Sequence, residues 1–177
     1  MCLTHAHIEH QGSGVSVRSY KVVCFKEGVF KSPFMEEPYL VGQKKRAHGP
    51  EVISFDDYSP LDAPLDPEAE SYGVVWCRPR GFNVGGGFIH TFATVEDAAR
   101  FVLHNTMSCS SEKNYWAILE CTTKGPYYSG LFDSDFRAIA SRSVKVKRAL
   151  SAQEVMACCP CWSVSDISCF SEAYIQW

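Results

Sequence analysis

Apolar positions recur with the two-residue period of a β-strand in several short stretches of this chain, and with a helical period in one. The first strand-like run is VRSYKVVCF (17–25), rich in β-branched and aromatic residues. A short strand is expected at 39–41, after a stretch broken by Pro33 and Pro38, and a basic turn, QKKRAH, follows at 43–48. SYGVVWC (71–77), FIHTF (88–92) and YWAILEC (115–121) read as further strands, the last of them central. AIA (138–140) and SVKVKRAL (143–150) come next; in the second, Val144 and Val146 alternate with Lys145 and Lys147, as on a strand with one wet face. GFNVGGG reads as a flexible turn before FIHTF, and TTKGPYYSG as the turn that ends the central strand.

The helical period belongs to TVEDAARFVLHN, where Val95, Ala98, Ala99, Val102 and Leu103 fall on one face. Thr94 can cap this helix with Asp97 three residues on, and Glu96 and Asp97 suit its positive end. SAQE (151–154) predicts a second capping box, opening a short helix that runs into Cys158. The order of elements predicts an α+β fold: a mostly antiparallel sheet with one packed amphipathic helix and a short C-terminal helix.

Composition adds limits. At 177 residues the chain is read as a single domain, 1–177, with a loose polar leader at 1–14. With 46% hydrophobic residues and a net charge of -3, disorder is excluded. No run of about 18 apolar residues predicts a membrane span, and MCLTHAHIEHQGSG lacks an apolar signal core, so a cytoplasmic location is expected. The charge is unevenly spread. Residues 51–70 hold seven acids, three prolines and no Lys or Arg, and read as an acidic insertion loop. Calcium is not expected there, because the spacing and central glycine of an EF-hand are missing. With those acids set apart, the remaining chain is basic, through Lys44, Lys45, Arg46, Arg78, Arg80, Arg137, Arg142, Lys145, Lys147 and Arg148.

Nine cysteines, an odd number, are expected to be mostly reduced. Cys24, Cys77 and Cys121 sit in apolar runs as small buried hydrophobes. The tail, 151–177, is apolar and cysteine-rich, and is expected to dock on the sheet or on a second copy of the chain. Cys158 and Cys161, with Cys169 nearby, form half of a zinc pattern, but no second pair completes it. No metal and no cofactor are expected.

The candidate ligand-binding residues are Gly85, Gly86, Gly87, His90, Thr91, Tyr127, Tyr128, Arg78 and Arg80. Three consecutive glycines let a backbone approach a ligand closely and could cradle a phosphate, although neither G-x-x-x-x-G-K-[ST] nor G-x-G-x-x-G is present. His90, flanked on its own face by Phe88 and Phe92, is the candidate acid, base or hydrogen-bonding group. Tyr127 and Tyr128 offer rings for stacking and hydroxyls for bonding.

The opening MCL, the YKVVCF strand, the block GGGFIHTFATVEDAARFV, and ILECTTKGPYYSGLF followed by AIASRSVKVKRAL resemble a group of small proteins common in gut Bacteroidetes and their phages. The matching blocks cover 17–42 and 81–150, and leave out the acidic insertion and the tail. The resemblance implies a bacterial or phage setting and carries no activity over.

Three functions follow as expectations. The first is a cytoplasmic protein that binds, sequesters or senses a small phosphate-bearing molecule, a nucleotide above all; in a phage this suggests an anti-defence role. The second is an enzyme. The strand–helix arrangement around GGGFIHTF is distantly similar to ADP-ribosyltransferase-like folds, though their serine-threonine-serine strand and Q/E-x-E turn are missing. A cysteine hydrolase pairing Cys121 with His90 is another form of this idea. The third is a protein-interaction module that uses the acidic loop. The sequence carries no strong nucleic-acid signal.

Overall fold

A computed structural model of the chain describes residues 3–10, 16–26, 28–33, 37–55, 82–108, 115–132 and 135–159. The strands are β1 (Leu3–His10), β2 (Val17–Lys26), β3 (Val29–Lys31), β4 (Pro38–Tyr39), β5 (Lys44–Arg46) and β6 (Ile53–Phe55). After them come β7 (Phe82–Val84), β8 (Ile89–Phe92) and helix α1 (Val95–Ser108). The chain continues with β9 (Tyr115–Thr123), β10 (Tyr127–Phe132), β11 (Phe136–Ser141), β12 (Ser143–Ala149) and helix α2 (Ala152–Cys158). Among the described residues all pairings are antiparallel within one 12-stranded sheet, in the order β5-β12-β9-β2-β8-β11-β10-β1-β7-β6, with β3 and β4 branching from β2.

Such a sheet cannot lie flat. Ten strands side by side span about 43 Å. Yet β5 and β6, at the two ends of the order, are joined by residues 47–52 alone, and so short a link reaches only about 25 Å. The sheet therefore curls. The curl brings β7 back over β8, four places away in the order: Val84 is buried against Ala138 and Ala140 of β11, and the His90 ring bonds to the Val84 carbonyl at 2.9 Å. The small side chains of Ala138 and Ala140 leave room for that return.

The core lies on both faces. On one, Val22, Phe92, Trp116, Ile118 and Phe136 pack with Ala98, Ala99, Phe101 and Val102 of α1 and Val155 of α2. On the other, Val23, Ala117, Leu119, Cys121, Val144 and Val146 are covered by Tyr39, with Ile89 and the partly buried Ala47 alongside. Alternation assigns the buried apolar residues of β2 and β9 to one cluster or the other, and in β12 an irregularity between Val146 and Arg148 resets it, so that Ala149 joins Val144 and Val146. Both predicted caps form. Asp97 N donates to Thr94 Oγ1 at 3.1 Å, and at α2 Ser151 and Glu154 bond reciprocally, the Glu154 amide to Ser151 Oγ at 3.2 Å and the Ser151 amide to Glu154 Oε2 at 2.8 Å. Ser151→Ala is expected to lower stability by about 1 kcal/mol in urea titrations, whereas an unchanged midpoint would show that α2 is held by packing alone.

Several expectations are corrected. The supposed loose leader contains β1, paired with β10 and β7; its polar residues hide a strand that is held by backbone bonding. The basic turn at 43–48 contains β5, zipped to β12. Tyr127 and Tyr128 lie on strand β10, and the turn is confined to 124–126. The acidic stretch begins inside structure, because β6 pairs with β7 at the end of the sheet. The remainder of that stretch, with the strand predicted at 71–77, and the tail beyond Cys159 lie outside the described residues. Among the described residues no helix is long and apolar enough to cross a membrane.

Candidate functional site

The glycine turn is the first place to look, and its close approach is to the chain itself. Gly87 has φ +75°, and a Cβ there would stand 2.6 Å from the Pro50 carbonyl carbon and 2.8 Å from Glu51 N. Gly85 N donates to Val52 O at 2.8 Å and Val52 N to Gly86 O at 3.0 Å. Arg142, at the β11–β12 corner, fastens both sides: its guanidinium donates to Gly87 O and to Gly49 O (3.3 Å), pairs with Glu51 (3.3 Å) and sits over the Phe88 ring at 6.0 Å.

The register puts His90 and Tyr128 on one face, two strands apart. His90 stands opposite Ala140 on β11, and Ala140 opposite Tyr128 on β10. Phe88 meets the Tyr128 ring edge-on at 5.5 Å. His90 is 6% exposed, and burial pushes its pKa down to about 4, so the ring is neutral at physiological pH and Nε2–H donates to Val84 O. Thr91 is buried on the opposite face and donates to Ile139 O at 3.3 Å. Tyr127, one residue from Tyr128, points away from it by alternation. His90 and Cys121 also lie on opposite faces, because Cys121 packs with Ile89, the residue that alternates with His90. The Cys121–His90 hydrolase pairing is therefore corrected: the sheet separates the two groups. Cys158 is exposed; Arg78, Arg80, Cys161 and Cys169 lie outside the described residues. Among the described residues no three His, Cys, Asp or Glu side chains gather as a metal site would need.

The surplus cations sort into two groups. Lys45 pairs with Glu37 (2.8 Å), Arg137 with Asp97 (3.0 Å), and Arg148 with both Glu120 (3.0 Å) and Glu154 (2.6 Å). Lys44, Arg46, Lys145 and Lys147 are exposed and make no ion pair among the described residues. Three of these share one surface. Lys44 stands opposite Lys145, Lys145 opposite Thr122, and Thr122 opposite Arg18, which makes one row across β5, β12, β9 and β2. Arg46, opposite Ser143, extends it. The row lies on the face away from Val144, Val146 and Cys121, beyond the area that α1 and α2 cover.

A second constellation has almost no signature in the sequence. Lys21, on β2, is 6% exposed; its Nζ donates to His90 O at 3.0 Å and lies 5.8 Å from the centre of the Tyr39 ring. Lys45 Nζ lies 5.7 Å from the same ring. Burial lowers the Lys21 pKa to about 8, raises that of the Cys121 thiol to about 12, and pushes the Tyr39 hydroxyl up as well. The Lys45 hydrogen bond to Glu37 holds that carboxyl below its ordinary value. Ser19, two residues before Lys21 on the same face, is fully buried, and its hydroxyl has no hydrogen-bond partner among the described residues. The only sequence signal is one lysine in the middle of VRSYKVVCF, at a position where alternation puts it in the core. Comparison of the chain with protein-family models, curated proteins and solved structures finds no match.

Proposed function

We propose that this protein binds a small phosphate-bearing molecule, a nucleotide first of all, and sequesters or senses it in the bacterial or phage cytoplasm that the resemblance implies. The observation that carries this reading is the row Lys44–Lys145–Thr122–Arg18 on the open sheet face. Like charges directly opposite on neighbouring strands cost roughly 0.2–1 kcal/mol. Lysine on the edge strand β5 also blunts edge pairing, but Lys145 lies on β12, which has a neighbour on each side. Its charge has no such use, and a phosphate group set between Lys44, Arg46 and Lys145 turns the repulsion into attraction. Glu120 draws Arg18 (3.3 Å) and Arg148 to one end of the row, leaving the positive potential concentrated at the β5–β12 end.

The test is thermal unfolding against mono-, di-, tri- and cyclic nucleotides and NAD. A binding nucleotide raises the melting temperature. Lys145→Glu is expected to abolish that rise while stabilising the free protein slightly, since a carboxylate then faces Lys44. No rise across the panel, or a rise that Lys145→Glu leaves intact, overturns the reading.

A further inference from the structure

The opposite face of the sheet carries an unbalanced charge of its own. We propose that Lys21 and Ser19 form the floor of an internal oxyanion subsite, which takes one carboxylate or phosphate group and has Lys45 at its mouth. Among the described residues, Lys21 is a buried ammonium without a carboxylate of its own. The nearby acid on this face, Glu37, is already bonded to Lys45 at 2.8 Å. An ammonium has three donors; His90 O takes one, and the Tyr39 ring faces the charge. Ser19 supplies a further donor, fully buried and unbonded, on the same strand face. Leaving a buried hydroxyl unbonded costs about 1–3 kcal/mol, and an unpaired buried charge costs more. One oxyanion would satisfy both groups.

Charge and depth fit the same occupant. Lys21 and Lys45 against Glu37 leave one positive charge around Tyr39, which suits a single anionic group. The Lys45 and Glu37 side chains are 20% and 32% exposed, while Lys21 is buried, so the solvent-facing pair sits above the floor. Glu37 is the chain's own stand-in for the incoming group, competing with it for Lys45. Because β5 points Lys45 to this face and Lys44 and Arg46 to the other, the subsite is separate from the open basic row and does not depend on it.

The experiment measures melting temperature in sodium phosphate, and separately in sodium acetate, against sodium chloride at equal ionic strength. A rise of about 3 °C is expected at tenfold saturation with the anion that fits. A rise in phosphate alone assigns a phosphate group, and a rise in acetate alone a carboxylate. Lys21→Met, which keeps the volume of the side chain, is expected to weaken the effect at least tenfold. Ser19→Ala, which removes the orphan hydroxyl and so keeps the fold, is expected to weaken it several-fold, and Glu37→Gln to strengthen it several-fold. The subsite is overturned if neither anion exceeds chloride, or if Lys21→Met and Ser19→Ala respond as the unmodified protein does. A response abolished by Lys145→Glu and kept in Lys21→Met also overturns it, and belongs to the open row.

Discussion

Gly87→Ala is expected to destabilise the protein by about 3 kcal/mol or more, read as a lowered midpoint in urea. Two costs add. A φ of +75° is unfavourable for any residue with a Cβ, by roughly 1–2 kcal/mol. The new methyl would also press on the Pro50–Glu51 backbone, which is held by the Arg142 clamp and by the bonds of Val52 and so cannot step aside cheaply. Gly42→Ala separates the two. Gly42 has φ +85° with nothing within 4 Å of a Cβ, so it should show the backbone cost alone, about 1 kcal/mol. Equal losses at the two glycines would mean that the 50–52 segment yields, and that the turn is no fixed joint of the curled sheet.

Raising the pH from 8 to 10.5 should release the strain that Lys21 places on the fold. Below about pH 8 the lysine is protonated in both folded and unfolded chains, and the folded one bears the full cost of burying the charge. Between 8 and the ordinary 10.5 the folded protein loses its proton first, so this residue's contribution to stability improves by roughly 3 kcal/mol. Two neighbours act in reverse. Cys121, held protonated up to about pH 12 when folded, ionises from about 9 in the unfolded chain, and Tyr39 behaves likewise above 10. Both favour unfolding in alkali, so the net gain shows between pH 8 and 9. His90 and Glu37, each shifted down, do not change charge in that window.

Lys21→Met isolates the effect. At pH 7 the variant should be the more stable protein by about 1–3 kcal/mol, after its lost bond to His90 O. The gap should close by pH 10.5. A gap that stays constant from pH 7 to 10.5 would show that Lys21 reaches solvent. The stability measurements need an anion-poor buffer, because an occupied oxyanion subsite supplies the missing counter-charge and shrinks the same gap.

Short apolar runs and alternation together make the central sheet legible in the sequence. β12 shows apolar residues at every second position because one of its faces is wet, whereas β9 and the middle of β2 are continuous apolar runs because both faces are buried. Helix α1 is equally plain, from the spacing of Val95, Ala98, Ala99 and Val102 and from its Thr94 cap. Phe101 falls off that apolar stripe, yet it packs in the core with Phe92, Phe132 and Phe136. β1 escapes the pattern because its polar residues are held by backbone bonds to β10 and β7, which leave no mark in the side-chain periodicity. β5 escapes it for a related reason: an edge strand of lysine and arginine resembles a solvated turn.

The candidate chemistry divides along the same line. That three glycines permit a close backbone approach, that a histidine sits between two phenylalanines, and that cations outnumber acids once 51–70 is set apart are all properties of residue type and short spacing. What approaches the glycines is a matter of which distant segment the curled sheet returns to them, and residues 50–52 take that place. Register, too, is a long-range quantity. It sets Lys44 beside Lys145 and Thr122 beside Arg18, puts Cys121 and His90 on opposite faces, and buries Lys21 under a tyrosine 18 residues away in sequence. The sequence alone determined the elements and the sign of the charge, because those depend on neighbours a few positions apart. Only the tertiary structure decided which charges lack partners, because pairing energy depends on distances through space that the order of residues does not contain.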